Sequence, residues 1–304
     1  MRAATLYYLD GMSQAEVAKA IGVSRPNVSR VLAEARRSGI IEISITITDT
    51  IGRAAELEHA LRRQFALTDV RVARGGDDDL ARIGRLGADW LLSALPERGR
   101  LSLAWGSSVQ AVVDAVQSEQ QFPDLEVLPL VGGLATIESE QDGNVLVREL
   151  AARIGANDRR LNAPALVETV DLCRALLAEP RIASVLADGA SADIAVVGVG
   201  AVGSGSSAAI VNDASLAPAA AAAFMASGVV GDCCTRYFDA TGTPVPSPID
   251  DRVVGVRLED LRRAGTVVAV AAGSRKVESV RAALHGHWFD VLIVDEPLAR
   301  ALLT

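Results

Sequence analysis

Ser13-Gln14-Ala15-Glu16-Val17-Ala18-Lys19-Ala20-Ile21-Gly22-Val23-Ser24-Arg25-Pro26-Asn27-Val28-Ser29-Arg30-Val31-Leu32 reads as two short helices around a tight turn. Ser13 is a helix N-cap, and Glu16 three residues on completes a capping box. Ala15, Val17, Ala18 and Ile21 then fall on one helical stripe. Gly22 stands where a helix ends in a left-handed residue, a conformation glycine adopts at little cost. Ser24 caps the second helix. Pro26 sits in its first turn, where a missing N–H loses nothing. Val28, Val31, Leu32 and Ala35 are expected to form the buried stripe of that helix.

This layout is a helix-turn-helix, whose second helix enters the DNA major groove and reads bases from its N-terminal end. Arginine presents a donor fork to guanine, asparagine pairs bidentately with adenine, and serine bonds base or phosphate. The candidate DNA contacts are Ser13, Gln14, Ser24, Arg25, Asn27, Ser29 and Arg30. The alternative is an ordinary helical hairpin with a solvated polar face. Against it stand the paired caps, the glycine at the turn and the absence of acid on the reading half of the second helix.

Charge is distributed to match. The chain of 304 residues has a formal net charge of −8, which argues against nucleic-acid binding over the whole surface. Residues 1–40 nevertheless hold Arg2, Lys19, Arg25, Arg30, Arg36 and Arg37 against Asp10, Glu16 and Glu34, a net +3 that leaves −11 on the remainder. A basic head on an acidic body suits DNA contact confined to the head. The length fits a small domain plus a large one, and 50% hydrophobic residues with few aromatics supply an aliphatic core. Three cysteines, Cys173, Cys233 and Cys234, make no disulfide framework and no zinc spacing, and read as free thiols in a reducing cytoplasm. No signal peptide is visible. Gly, Pro or charge interrupts every apolar stretch short of the roughly 20 residues a membrane span needs. The expectation is a soluble cytoplasmic protein with no membrane partner.

Residues 2–10 read as the back half of a helix closed by Asp10-Gly11. A three-helix head calls for a longer one, with its start upstream of Met1 or the domain pared down. After the second helix, Gly39 ends the pair and Ile40 to Ile47 alternates as a strand, either a small wing beside the head or an edge linking it to the body. Beyond it helices and apolar strands alternate. Helices are expected over 53–67, 78–95, 109–116, 143–154, 178–188, 217–226 and 277–284. Strands are expected over 69–73, 101–105, 125–130, 193–197, 266–270 and 290–294, with an irregular segment after 154. The fold class is therefore α/β: a small all-α, winged helix-turn-helix domain (1–48) followed by a larger, mostly parallel, Rossmann-like sheet domain (49–304) covered on both faces.

In an open α/β sheet ligands bind beyond the carboxyl ends of the strands. Gly106-Ser107-Ser108 follows the strand ending at Trp105 and opens a helix, and a glycine and two hydroxyls at a helix N-terminus make a phosphate cradle. Gly132-Gly133 and Gly198-Val199-Gly200 follow two further strands. Gly273-Ser274-Arg275-Lys276 follows another, and Lys276 at a helix start opposes the helix dipole unless an anion compensates it. Each loop alone serves turn geometry as well as binding; their gathering at one sheet edge points to a ligand.

Together the residues quoted for the head and Trp105-Gly106-Ser107-Ser108, Pro129-Leu130-Val131-Gly132-Gly133, Val197-Gly198-Val199-Gly200, Gly228-Val229-Val230-Gly231-Asp232, Gly273-Ser274-Arg275-Lys276 and Leu292-Ile293-Val294-Asp295-Glu296 resemble the SorC family of bacterial transcriptional regulators over nearly the whole chain. The resemblance implies a sugar-binding domain with the fold of the glucosamine-phosphate isomerases, a sugar or sugar-phosphate effector, operator DNA as partner, and homodimers or homotetramers. Carried over by residue, Gly106, Ser107 and Ser108 match the family's phosphate loop, Lys276 the lysine that meets the phosphate, and Asp232 an acid near the effector's hydroxyls. Gly132, Gly133, Gly198 and Gly200 complete the expected effector site. Val131 stands where some members have a phosphate-contacting Arg.

The rival class is a sugar-phosphate isomerase or deaminase on the same fold. Such enzymes need a general acid/base, placed soon after the Gly-x-Gly loop. Here Ala201-Val202-Gly203-Ser204-Gly205 follows, with no acid or histidine. His285-Gly-His287 has no carboxylate cluster beside it in sequence, so no catalytic residue, metal ligand or cofactor is assigned.

Overall fold

The structure is a computed structural model that describes residues 2–9, 12–37, 52–76, 79–133 and 142–304. The chain divides into two compact units, Met1–Ile51 and Gly52–Thr304.

In the first unit a short helical turn, α1 (Arg2–Ala4), runs into a π-helical turn over Thr5–Leu9, followed by α2 (Gln14–Ile21) and α3 (Arg25–Arg37). The capping box forms. The Ser13 N–H donates to the Glu16 carboxylate at 2.8 Å, and the Ser13 hydroxyl accepts the Glu16 N–H at 3.4 Å. Gly22 closes α2 at φ 73°, and the next N–H, from Val23, returns to the Ala18 carbonyl at 3.0 Å. Val17, Ala18, Val28 and Leu32 form a small core with Ala3. One expectation is corrected: Val31 is 47% exposed. Val28, Leu32 and Ala35 already occupy the inward seam, and at about 100° per residue Val31 lands on its flank. The expected wing strand Ile40–Ile47, Gly39 and the Asp10-Gly11 turn lie outside the described residues.

The second unit runs α4 (Ala55–Gln64), β1 (Asp69–Ala73), α5 (Leu80–Ala94), β2 (Arg98–Leu103), α6 (Ser107–Ala115), β3 (Asp124–Pro129), α7 (Gly143–Ile154), β4 (Asn157–Asp158), α8 (Val170–Ala178), α9 (Pro180–Ala190), β5 (Ile194–Gly198), β6 (Gly200–Ala201), α10 (Gly205–Asp213), α11 (Pro218–Ala226), β7 (Val229–Cys233), β8 (Arg236–Asp239), α12 (Leu258–Leu261), β9 (Thr266–Ala271), α13 (Val277–His285), β10 (Val291–Asp295) and α14 (Glu296–Leu303). Seven strands make one parallel sheet in the order β1-β10-β9-β5-β2-β3-β4. Alternate residues of each strand feed separate cores, as a period of two requires. Leu128, Ala195, Val197, Ala269 and Leu292 pack with apolar residues of α4, α9, α13 and α14. Val127, Ile194, Val196, Val268 and Ile293 pack with residues of α5, α6 and α7. Burial on both faces is why these strands read as continuous apolar runs.

Three features depart from the sequence expectation. The strand expected over 101–105 begins at Arg98 and ends at Leu103, which frees Ala104 and Trp105 to follow it. The segment expected to be irregular contains β4 and α8. A second, three-stranded antiparallel sheet, β6-β7-β8, was not expected at all. Its hairpin turns at Cys234 and Thr235, both with positive φ (52° and 64°), and Cys233 pairs with Arg236 across it. The buried Arg236 guanidinium donates to the carbonyls of Asp250, Gly255 and Val256 at 2.6, 3.0 and 3.0 Å and to the Asp250 carboxylate at 2.9 Å, tying residues 250–256 to this hairpin.

Candidate functional site

In the first unit, Arg25, Asn27, Ser29 and Arg30 are exposed on α3, and Ser13 and Ser24 are exposed at the starts of the two helices. Gln14 is half-buried. The buried seam of α3 lies on the opposite side from Asn27 and Arg30. These two therefore stand outward on the N-terminal half of the helix, where a recognition helix meets base edges.

In the second unit the chain winds outward from β2 to β3 and β4 on one side, and from β5 to β9 and β10 on the other. The adjacent pair β2 and β5 is thus the topological switch point, where carboxyl-end loops diverge and open a crevice. A cleft of about 170 Å³ lies there, lined by Trp105, Gly106, Ser107 and Ser108 after β2 and by Gly198, Val199 and Gly200 at the end of β5. Ser204, Gly205, Ser207, Asp232, Cys234, Arg275 and Lys276 complete most of its wall. Of the expected effector residues, Gly106, Ser107, Ser108, Gly198, Gly200, Asp232 and Lys276 come together. Gly132 and Gly133 do not line the cleft. Their N–H groups are taken by the carbonyls of Val254 and Ala163, and a side chain at Gly132 would strike the Ala163 and Pro164 backbone. Their glycines serve chain packing.

Helix starts face the cleft. The starts of α5, α7, α8 and α14 are each capped by a side chain, from Asp79, Asp142, Thr169 and Asp295. Two starts that border the cleft, α6 at Gly106 and α10 at Ser204, have no side-chain cap, as is also true of α4, α9 and α11 elsewhere; at the third, before α13, the Gly273 N–H donates to the Asp295 carboxylate at 2.7 Å. The first N–H groups of α6 and α10 have no helical acceptor and carry the positive end of each dipole. In the same wall the Ser108 hydroxyl and the Trp105 indole N–H are buried without a hydrogen-bond partner among the described residues.

One acid faces this field. Asp232 is 5% exposed. Its carboxylate accepts from the Ser207 hydroxyl and the Thr235 N–H. Burial pushes its carboxyl above the ordinary aspartate value, while the Ser207 hydrogen bond, the Lys276 charge and the Thr235 N–H pull it back. Gly200 pairs with Asp232 across β6 and β7, and a side chain there would collide with both the Asp232 carboxylate and the Ser207 hydroxyl. Gly200 is therefore needed for close approach. Burial also holds the neighbouring Tyr237 phenol far above its usual value, so it stays neutral. All three cysteines are free and buried, and the Cys233 and Cys234 sulfurs are 3.9 Å apart.

Sequence reasoning missed Ser207, Cys234 and the α10 start as parts of this wall. Ser204-Gly205-Ser206-Ser207 repeats the glycine-and-hydroxyl signature of Gly106-Ser107-Ser108, which is the signal that could have found them. Among the described residues no group of three or more His, Cys, Asp or Glu side chains is placed to hold a metal, and no helix is long and apolar enough to cross a membrane.

A family model described as "Putative sugar-binding domain" matches residues 49–304, and a Crp-like helix-turn-helix model matches residues 6–52. The chain is 30% identical over 307 residues to the deoxyribonucleoside regulator of Bacillus subtilis (strain 168), covering 100% of this chain and 96% of that protein. It is 31% identical over 307 residues to the transcriptional regulator LsrR of Escherichia coli (strain K12), covering 99% and 93%. The crystal structure of the full-length sorbitol operon regulator SorC from Klebsiella pneumoniae matches with a TM-score of 0.77 at 27% identity, covering 99% of this chain and 97% of that one.

Proposed function

Because this chain belongs to the SorC family of transcriptional regulators, a helix-turn-helix head with a sugar-binding domain, we propose that a sugar phosphate bound in the β2–β5 cleft switches its grip on operator DNA. It is a regulator and not an enzyme of the same fold, since its relatives are named as regulators. The observation that carries the effector reading is the convergence of two helix starts without side-chain caps, α6 and α10, with Lys276 on one cleft. Gly106, Ser107, Ser108 and Lys276 hold the phosphate, Gly198 and Gly200 let backbone approach it, and Asp232 accepts hydrogen bonds from sugar hydroxyls. Gly132 and Gly133 are left out of that set.

In the head, Arg25, Asn27 and Arg30 read base edges, while Ser13, Gln14, Ser24 and Ser29 bond base or phosphate. The two functions divide at the 48/49 boundary. The protein works in the cytoplasm as a homodimer or homotetramer, because paired heads are what match paired half-sites. An effector that favours one arrangement of subunits changes the spacing of the heads and so the affinity for DNA.

The test is a thermal-shift screen of the full chain against sugars and sugar phosphates. A ligand that binds only the folded state raises Tm with its concentration. Stabilisation confined to phosphorylated compounds and lost in Lys276→Ala, with operator binding retained, is the expected result. Stabilisation by unphosphorylated sugars alone would remove the phosphate from the proposal and leave a regulator that senses the nutrient itself.

A further inference from the structure

We propose that the Cys233–Cys234 pair at the β7–β8 turn is a capture site for trivalent arsenicals, reached through the cleft. It does not depend on what else the cleft binds. The two sulfurs lie 3.9 Å apart, the Cys233 thiol donating toward Cys234. The residues are 1% and 5% exposed, and Cys234 is part of the cleft wall. The third thiol, Cys173 on α8, has its Sγ 3.4 Å from the Val253 carbonyl and belongs to no such pair. Turn geometry does not call for the pair either. Cys234 and Thr235 are the central residues of the hairpin, at φ 52° and 64°, where glycine or asparagine is the usual choice.

Three chemistries are open to adjacent thiols, and the geometry separates them. A disulfide needs sulfurs about 2.05 Å apart and Cα atoms at least about 4.4 Å apart. Neighbouring Cα atoms across a trans peptide stay about 3.8 Å apart, so these sulfurs would have to close by nearly half their separation on a backbone that cannot lengthen. A metal ion asks for more donors, and among the described residues no group of three or more His, Cys, Asp or Glu side chains is placed to hold one. An arsenical R–As=O asks for two thiols only, because its own carbon makes the third bond to arsenic. Its two As–S bonds leave the sulfurs close to contact, as they are here. In the step, R–As=O and two S–H groups give R–As(S–)2 and water. Two As–S bonds form as the As=O and S–H bonds break, and both thiol protons leave in the water. Nothing is oxidised or reduced. Neutral thiols are the reactants, which suits Cys233. Its hydrogen bond to Cys234 and its burial push that thiol well above the ordinary cysteine value, against the thiolate that oxidation requires.

The experiment uses the reduced full chain, with phenylarsine oxide as the probe. One equivalent per chain is expected to bind, read by native mass spectrometry as a single adduct formed with loss of one water. It should be stripped by 2,3-dimercaptopropanol, and should raise Tm with concentration because the folded hairpin presents the thiols as a pair. Cys173→Ser should bind as the parent does. Cys233→Ser and Cys234→Ser, whose own Tm values report folding, should each lose about a hundredfold or more in affinity, since the second As–S bond is the intramolecular one. A parent chain that takes up no arsenical overturns the site. Uptake that persists in either of these two variants, or that needs Cys173, places the capture elsewhere and overturns it as well. Uptake accompanied by a fall in Tm means that only the unfolded chain is captured, which removes the folded hairpin from the role. Loss of two hydrogens to diamide without arsenical uptake would make the pair a disulfide former instead.

Discussion

Asp232 has a consequence for stability that can be measured without any ligand. Its carboxyl binds a proton more tightly folded than unfolded, because burial outweighs the help from Ser207, Lys276 and Thr235. The stability this contributes is fully present below the unfolded aspartate value, about 4, and is lost as pH rises through the higher folded value. Once ionised in the folded chain, the acid is a net cost that the cleft carries for its chemistry. Asp232→Asn should therefore be at least as stable as the parent at pH 7, with its relative advantage shrinking toward pH 4 in melting curves. A loss of equal size at every pH would assign Asp232 a packing role instead. Gly200→Ala tests the same spot from the backbone side. A methyl group driven into Asp232 and Ser207 should cost about 1–3 kcal/mol in denaturant unfolding and abolish the effector response, because it displaces both ends of their buried hydrogen bond.

At the scale of elements, α3 and the β7–β8 hairpin make the sharpest tests. Arg30→Ala should weaken operator binding by about 1–3 kcal/mol, relax specificity at one base pair, and leave effector binding unchanged, as read by gel shift and calorimetry. Arg236→Met removes a buried cation that satisfies four carbonyls, of Asp250, Val253, Gly255 and Val256, and one carboxylate. It should destabilise the chain by on the order of 3 kcal/mol, since those acceptors are left without donors. How far these elements could be read from sequence follows from their chemistry. Leu125 to Leu130 and Asp290 to Val294 announce themselves because strands buried on both faces are mostly apolar, with Glu126 and Asp290 the exceptions. α2 and its capping box are equally plain, because Ser13, Glu16 and Gly22 each have a local reason to be there. The hairpin is hidden. Arg236 looks like a surface residue until residues 250–256 wrap around it, and Cys234 and Thr235 are not the Asn-Gly that marks a tight hairpin turn. Val31 and the glycines 132–133 misled for the same reason: tertiary neighbours decide whether an apolar residue is covered and whether a glycine serves a ligand or a backbone contact.

For the whole molecule the asymmetry of charge, a net +3 over residues 1–40 on a chain of −8, bears on how DNA is approached. An acidic body contributes repulsion to any surface rich in phosphate, so the head must supply the attraction alone. The log–log salt dependence of operator affinity should then be shallow, with a slope between about −2 and −6 for a pair of heads. A slope steeper than about −10 would mean the body also contacts DNA. The alternation of helix and strand made the parallel sheet foreseeable at this scale. The order of its strands was not, because the return of β5 to lie beside β2 depends on long-range packing and leaves no local mark.

That return has an evolutionary reading. The seam between β2 and β5 is walled mostly by residues that follow strands, with Ala104, Val199 and Cys234 shared with a core, and several of the others, such as Ser107, Ala201, Ser204 and Arg275, are only partly buried or exposed. Exchanging them leaves the layered interior untouched. A lineage built on this scaffold can acquire a new nutrient signal in few steps while its folding and its DNA-reading head stay as they were.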